Sequence, residues 1–431
     1  MPSTIEYKCP CCGGELEFDV SEQKMKCPYC DNTFEAETLR EYDNLLRNQP
    51  ADDMNWNMQA SANEWQEGET SNMAVYHCNS CGAEIVCDDQ TTAATHCPYC
   101  ESPIVLAGKF SGELKPDLVI PFKLDKNAAV EALGKHLKGK KLLPKLFRTQ
   151  NHIEEVKGVY VPFWLFDAKA DASIRYKATK VRTWKSGNYR YTETSFFAVN
   201  REGTLEFEAV PEDGASQMAD DLMESLEPYN ISDAVSFQTA YLSGYLANRY
   251  DVSDTEVVDR ANRRIKTSTE KAFQDTVTGF NTVTVESSGI RLFNNKAKYA
   301  LYPVWILNTV WNGNKYVFAM NGQTGKLVGD VPYSKGKFFG VLFGVLAVIW
   351  AVLIGIVAAT GNLAGTGIIG TGVVALIVAL LVAFSMKGKT KSVHKGTKAL
   401  DFVVNGSFKL TNSFDNFLRK QVDKKPKQQK N

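Results

Sequence analysis

Residues 338–386 read FFGVLFGVLAVIWAVLIGIVAATGNLAGTGIIGTGVVALIVALLVAFSM, and this run contains no Asp, Glu, Lys or Arg. A bilayer core about 30 Å thick takes roughly 20 helical residues to cross, so the run is long enough for two crossings and a turn. The glycine-rich segment 360–367 supplies the turn, which places helices at 338–359 and 368–386. The alternative is a buried hairpin in a soluble protein, but core helices carry a polar face that this run lacks.

Basic residues flank the run at both ends: Lys335, Lys337, Lys387, Lys389, Lys391 and Lys395. Because positive residues near membrane helices stay in the cytoplasm, we predict a transmembrane helical hairpin at 338–386 in the cell membrane, with both termini cytoplasmic. The first residues, MPSTIEYK, carry no signal-peptide pattern.

The segment 387–431 is predicted to be a basic cytosolic tail. It holds 12 Lys or Arg against three Asp, although the whole chain has a formal net charge of zero. A basic tail directly after a membrane helix favours contact with anionic lipid headgroups. A tail that is only solvated is the alternative.

Eight of the ten cysteines form two sets of paired CxxC motifs: Cys9, Cys12, Cys27 and Cys30, then Cys78, Cys81, Cys97 and Cys100. Each CxxC places two thiolates on one tight turn, and four thiolates complete a closed tetrahedral zinc site. Cysteines at this spacing in a cytosolic protein indicate metal rather than disulfides. We therefore predict two structural Zn²⁺ ions, one in a zinc ribbon at 1–38 and one in a second ribbon at 75–106.

The second set repeats the first at an offset of 69 or 70 residues, which indicates an internal duplication with one inserted residue. Cys11 and Cys87 fall outside the ligand pattern and are predicted to be bystanders. His77 and His96 each precede a ligand cysteine, and we expect them to face solvent because four cysteines already complete each site. A thioredoxin-like redox pair is the alternative, but the strand–helix context of that motif is missing.

Residues 39–74 are rich in Asn, Gln and acidic residues, and we predict a flexible acidic linker there. Residues 115–333 form the one segment large enough for a conventional core. The stretch YVPFWL at 160–165 is echoed by YPVWIL at 302–307. We therefore predict a multidomain chain whose α+β domain has antiparallel sheets in two related halves.

Local patterns place the elements of this domain. Helices are predicted at 127–138, 215–225 and 236–248, and a capping box at 253–256 opens a helix that runs to about residue 273. A β-meander turns at 186–188 and again at Gly203, and Asn312-Gly313 forms a hairpin turn. Trp164 and Trp305 are predicted core residues.

The charges of the ribbons disfavour nucleic acid as a partner. Residues 78–100 contain no Lys or Arg, and residues 3–35 contain three Lys against seven Asp or Glu. Phosphate binding depends on Lys and Arg, which these modules hardly offer. The chain also shows no Walker A motif and no pairing of a nucleophile with a base. The sequence thus gives no positive sign of an enzyme and leaves an activity of the 115–333 domain open.

The layout resembles the bacterial membrane proteins with transcription factor IIB (TFIIB)-type zinc ribbons. The resemblance rests on the tandem cysteine modules, the YVPFWLF strand, the Asn-Gly-Gln-Thr-Gly-Lys turn at 321–326 and the terminal hairpin. It implies that the eight paired cysteines are zinc ligands. It also implies a cytosol-facing adaptor that works with SPFH or phage-shock-type membrane scaffolds.

Our leading hypothesis is a membrane-anchored zinc-ribbon adaptor that recruits protein partners to the cytoplasmic face of the membrane, in envelope-stress or membrane-organisation assemblies. The alternative is a nucleic-acid-binding regulator or a replication accessory protein associated with a helicase. Zinc-dependent protein capture favours the first hypothesis, and salt-sensitive nucleic-acid binding by the ribbons favours the second.

Overall fold

The structure is a computed structural model that describes residues 7–10, 14–40, 50–56, 65–88, 96–109, 114–150, 156–359, 365–396 and 398–426. Its strands are β1 (Glu17–Asp19), β2 (Lys24–Lys26), β3 (Thr33–Phe34), β4 (Met73–His77), β5 (Glu84–Asp88), β6 (Val105–Lys109), β7 (Leu118–Val119), β8 (Lys157–Ser186), β9 (Tyr189–Asp213), β10 (Val235–Ser236), β11 (Leu246–Asn248), β12 (Thr282–Trp311), β13 (Asn314–Asn321), β14 (Leu327–Val328) and β15 (Lys409–Pro426). Its helices are α1 (Lys126–Leu137), α2 (Lys145–Gln150), α3 (Asp220–Leu226), α4 (Asp254–Gln274), α5 (Lys335–Ala359) and α6 (Gly365–Gly388).

Two sheets organise these strands. Strands β1, β2 and β3 form a small sheet of their own, and the other twelve share one large mixed sheet. The long strands run antiparallel in the order β12, β8, β9, β15, whereas β11 joins β8 and β7 joins β12 in parallel. At about 3.3 Å per residue, the 30 residues of β8 span roughly 100 Å.

The core of the large sheet lies beneath α4. From Ala168 to Ala178 every second residue of β8 is buried, which is the period of a strand with one covered face. Ala261, Ile265 and Phe273 of α4 belong to the same apolar cluster. The alanines on the strand give the helix room to lie close to the sheet.

The echoed segments do not lie in two separate sheets. They are neighbouring strands of one sheet, in which Pro162 pairs with Leu301 and Val159 pairs with Val304. The prediction of an α+β domain is thus confirmed in its coarse form, as one large mixed sheet with helices rather than separate antiparallel sheets, and the relation between two halves stays a prediction. The two sequences are similar in their apolar residues because both segments are buried at the centre of the sheet.

Several local predictions are confirmed. Helices α1 and α4 lie at the predicted positions, and the capping box at Ser253 and Glu256 is present. Asn312 and Gly313 both have positive φ, as this hairpin turn requires. Trp164 and Trp305 are buried, and their indole N–H groups donate to the carbonyls of Val252 and Leu124.

Two predictions inside the domain were wrong. Strand β9 continues through Gly203 without a turn, and β15 crosses so closely there that a Cβ would lie 2.1 Å from the Lys409 carbonyl oxygen. The predicted helix at 236–248 is replaced by a 3₁₀ turn and by strand β11. Gly244, with φ +82°, interrupts the helical pattern, and pairing with β5 and β8 holds residues 246–248 extended.

Residues 50–56 and 65–72 of the predicted flexible linker make contacts with the large domain. The backbone of Asp53 forms an isolated parallel β-bridge with Arg291 of β12. The Trp56 ring lies edge-on against the Phe166 ring, with 4.9 Å between the centroids. Near its other end, the Lys115 ammonium pairs with the Glu69 carboxylate at 2.8 Å. The polar composition of the linker did not predict these contacts, because each contact is made by a single residue.

The segment after the apolar run also joins the sheet. Strand β15 pairs with β9 from Lys409 to Pro426, and the half-exposed Asp415 accepts from the buried Arg201 guanidinium at 2.7 Å. The middle part of the predicted basic tail, Lys409–Pro426, is therefore an edge strand. Contact of this segment with lipid remains a prediction.

The apolar run forms two helices, as predicted. Helix α5 and helix α6 pack on each other through Leu342, Ala379 and Ala383. In their most apolar windows only 6% and 17% of the residues are buried, which is unlike the core helices of a soluble protein. Their length and composition suit a membrane span. The predicted turn lies largely outside the described residues.

Candidate metal centres

Four of the cysteines begin tight turns that are closed by the same backbone hydrogen bond. The amides of Cys9, Cys27, Cys78 and Cys97 each donate to the carbonyl five residues later, at 2.7 to 2.9 Å. In the last three turns, the fourth residue after the cysteine donates back to its carbonyl. That residue, Asp31, Gly82 or Glu101, has positive φ. The tight turn directs the side chains of both CxxC cysteines towards one point.

The second cysteine set comes together as predicted. The thiol sulfurs of Cys78, Cys81, Cys97 and Cys100 all lie within 4.8 Å of one another. The Sγ atoms of Cys78 and Cys100 are 3.4 Å apart, and those of Cys81 and Cys97 are 3.6 Å apart. Four sulfurs at about 2.3 Å from a tetrahedral zinc would be roughly 3.8 Å apart. The cluster is geometrically suited to a metal ion.

In the first set, three of the four predicted ligands fall in the described residues. Cys9, Cys27 and Cys30 lie within 4.8 Å of one another, with 3.6 Å between the sulfurs of Cys9 and Cys30. Cys12 lies outside the described residues. The Asn32 side-chain amide donates to the Cys30 sulfur at 2.9 Å. Sequence reasoning missed this supporting contact, although an Asn two residues after a ligand cysteine was visible.

The thiols differ in how readily they ionise. Burial opposes ionisation of Cys30 and Cys100, but hydrogen bonds from Asn32 and Ser102 outweigh it and lower their pKa values to about 7 and about 6. Burial raises the pKa values of Cys81 and Cys97 above the usual range. Hydrogen bonding therefore favours the thiolate form of Cys30 in the first cluster and of Cys100 in the second. A bound cation would favour ionisation of the others, since metals coordinate thiolates.

The two clusters are embedded differently. Cys9 and Cys27 belong to a small core that Phe34 and Leu39 complete, whereas Cys78 and Cys97 belong to the core of the large domain. The second cluster is further fixed because Asn308 of β12 donates to the Pro98 carbonyl at 2.5 Å. The predicted ribbon at 75–106 is therefore continuous with the large sheet through β5 and β11.

Among the described residues, the predicted bystanders Cys87, His77 and His96 stay outside these clusters. Cys87 is buried in β5, and Cys11 lies outside the described residues. His96 is exposed, as predicted. His77 is half-buried, and its Nδ1 lies 3.9 Å from a Glu84 carboxylate oxygen.

A buried charge network that the sequence did not predict lies on α4. Arg264 is 3% exposed, and its guanidinium donates to the Pro211 carbonyl at 2.6 Å and to the Glu227 carboxylate at 2.5 Å. Arg260 lies 3.2 Å from Glu212 and 3.4 Å from Asp213. No sequence pattern joins these positions, which come from β9, the end of α3 and α4.

Carboxyl groups outnumber guanidinium groups in this network. Burial raises the pKa of Glu212 to about 8 and those of Asp213 and Glu227 to about 7, although the two arginines oppose the shift. Three buried carboxyl groups face two guanidinium groups, so burial opposes full ionisation of the network. An adjoining cavity of about 230 Å³ reaches Glu224, Arg263 and the chain after α6 at Lys395.

Comparison with known proteins gives one clear relative. The uncharacterized protein YdjG of Bacillus subtilis (strain 168) is 34% identical over 333 residues, which cover 77% of this chain and 92% of that protein. No family model matches the chain. No solved structure matches it either.

Proposed function

The chain belongs to the family of the Bacillus subtilis protein YdjG, and we propose that it is a membrane-anchored zinc-ribbon adaptor. Helices α5 and α6 anchor it, two structural zinc ions hold its ribbons, and it recruits protein partners to the cytoplasmic face. The resemblance to membrane proteins with TFIIB-type ribbons supports a place in envelope-stress or membrane-organisation assemblies, beside SPFH or phage-shock-type scaffolds.

The pairing of β15 with β9 supports a hairpin anchor. One of these strands precedes the apolar helices and the other follows them, yet they share one sheet. Close to the helices, Asp330 accepts from the amides of Ser392 and Val393 at 2.8 and 3.1 Å. Both flanks must therefore lie on the same side of a membrane. That arrangement requires an even number of crossings, and the flanking lysines favour the cytoplasmic side.

The observation that carries the adaptor proposal is the apolar surface of the first ribbon. Phe18, Val20 and Tyr29 are 52%, 74% and 73% exposed, on a module whose own core is small. Exposed aromatic and aliphatic side chains within a polar rim are typical of protein contact sites. The acidic residues around them disfavour nucleic acid.

Crosslinked affinity purification of the full chain from membranes tests this proposal. We expect Val20→Ser with Tyr29→Ser to reduce recovery of specific partners at least about fivefold, because both side chains leave the contact surface. Leu146→Ser is the matched control, since Leu146 is 62% exposed but lies on α2 of the large domain. Equal recovery from both variants would reject the ribbon surface as the recruiting site.

The zinc part of the proposal has its own readout. Metal analysis of the purified chain under reducing conditions should give two zinc ions per chain. One zinc or none would contradict it. Binding of nucleic acid by the ribbons in place of a protein would support the regulator or replication accessory instead.

A further inference from the structure

The far end of the long sheet forms a surface of unusual charge, which we name the sheet tip. It comprises residues 177–196 of β8, β9 and their turn, residues 282–287 of β12, and residues 417–426 of β15. The covering helix α4 ends just before it, where Tyr176 donates to the Glu270 carbonyl and Gln274 donates to the Val283 carbonyl. The first ribbon touches one margin, where Arg419 donates to Asn32 at 3.3 Å.

The sheet tip holds nine Lys or Arg against three Asp or Glu. Two of the three acids already have partners, since Glu286 pairs with Lys177 at 2.9 Å and Glu193 pairs with Lys420 at 2.6 Å. The surplus of positive charge arises because β15 brings its cations beside those of the β8–β9 hairpin. The two segments are more than 200 residues apart in the chain, so the sequence does not show the patch.

Aromatic rings lie among the cations on one face of this tip. Trp184 pairs with Tyr191 across the strands, and their rings stack with centroids 5.5 Å apart. The Arg182 guanidinium lies 5.9 Å from the centre of the Trp184 ring, and the Lys424 ammonium lies 3.9 Å from that of Tyr189. Arg182 and Lys424 form no ion pair with a carboxylate among the described residues. Both side chains are exposed and thus accessible to phosphates.

We propose that the sheet tip binds single-stranded nucleic acid. Cations that follow a backbone beside rings on which bases stack are the shared chemistry of proteins that bind single strands. This site is distinct from the acidic ribbons, and the proposal does not depend on the adaptor function.

The position of the sheet tip argues against the anchoring membrane as its ligand. The chain enters α5 from β14, which joins β12 through β13 at the opposite end of the long strands. From Glu286 to Trp305 of β12, this separation is about 60 Å along the strand. Cations also lie on the second face of the tip, at Lys185 and Lys425, which suits a flexible polyanion better than a flat surface.

The test uses the full chain in phosphatidylcholine nanodiscs and a fluorescein-labelled 20-mer of uridine, with anisotropy read from 50 to 300 mM KCl. We expect Arg182→Gln with Lys424→Gln and Lys425→Gln to weaken binding at least about tenfold. The slope of log K against log salt should fall by about 2, at about 0.7 per lost phosphate contact. The control removes the same charge near the membrane helices, with Lys389→Gln, Lys391→Gln and Lys395→Gln, and should bind normally.

A second pair of variants separates stacking from charge. Trp184→Ala with Tyr191→Ala should weaken binding about tenfold and leave the salt slope unchanged, because stacking does not release counterions. Trp184→Phe with Tyr191→Phe should retain binding, which controls for the fold of the tip. Equal affinities of the tip and control charge variants would overturn the proposal. The proposal would also be overturned if the oligonucleotide did not bind and the protein instead bound phosphatidylglycerol vesicles through the sheet tip.

Discussion

At the residue scale, the cysteine clusters depend on the backbone conformation of single residues as well as on the cysteines themselves. Asp31 and Glu101 adopt positive φ at the turn position that is occupied by Gly82 in the turn after Cys78. This conformation is unfavourable for residues with a Cβ. It persists because each of these amides donates back to a cysteine carbonyl. The turns therefore hold the two thiols of each CxxC together.

We predict different outcomes for one ligand from each cluster. Cys97→Ser and Cys27→Ser should each reduce zinc from two ions per chain to one. Only Cys97→Ser should lower the main midpoint of thermal unfolding, by roughly 10 °C for a loss of about 3 kcal/mol, because Cys97 lies in the core of the large domain. Metal analysis and circular dichroism would check this. Equal unfolding midpoints for Cys97→Ser and Cys27→Ser would contradict the inclusion of Cys97 in the core of the large domain.

At the scale of the element, α4 combines packing with charge. Its apolar residues cover the alanine face of β8, and Arg264 brings a cation among buried carboxyls. The guanidinium also donates to the Lys398 carbonyl, so the chain that leaves α6 is tied to the same helix. The helix thus connects the long sheet to the segment that returns from the apolar pair.

We predict that Arg264→Met lowers the free energy of unfolding by about 3 to 5 kcal/mol, because it leaves the buried Glu227 without its paired guanidinium and Glu212 with Arg260 alone. Arg263→Met is the control. Arg263 is exposed on the same helix, and its replacement should change stability by less than about 0.5 kcal/mol. Denaturant unfolding of the full chain in detergent, followed by tryptophan fluorescence, measures both. Similar losses in the two variants would show that the network is not stabilising.

At the scale of the whole molecule, the chain leaves the large sheet through α5 and returns to it after α6. Strand β15 then completes the edge of that sheet beside β9. The fold therefore requires both flanks of the helices to be on one side of any membrane. The large sheet is therefore completed only when the chain returns to it after α6.

We predict that reporters fused at Met1 and at Asn431 are both active on the cytoplasmic side. Deletion of residues 365–388 would leave one crossing and place β15 on the opposite side from β9. The unpaired edge should then make the remaining sheet several-fold more sensitive to protease, while α5 keeps the protein in the membrane. A reporter at Asn431 that is active only outside would contradict the hairpin.

The sequence by itself determined the features that depend on neighbouring residues. The charge-free run predicted α5 and α6, the CxxC spacing predicted which cysteines meet, and the capping box predicted the start of α4. Each is set by local geometry or by the absence of charge over a continuous stretch. The identity of the metal and the partner stay predictions.

The tertiary structure decided what depends on contacts between distant residues. It joined the second cysteine cluster to the large sheet, placed Lys409–Pro426 of the basic tail in β15, and assembled the Arg264 network and the sheet tip. The alternation of apolar residues in a strand indicates that one face is buried, but it does not indicate which strand lies beside it. Because pairing partners and buried ion pairs are selected by the whole fold, the positions of these charges could be found only in three dimensions.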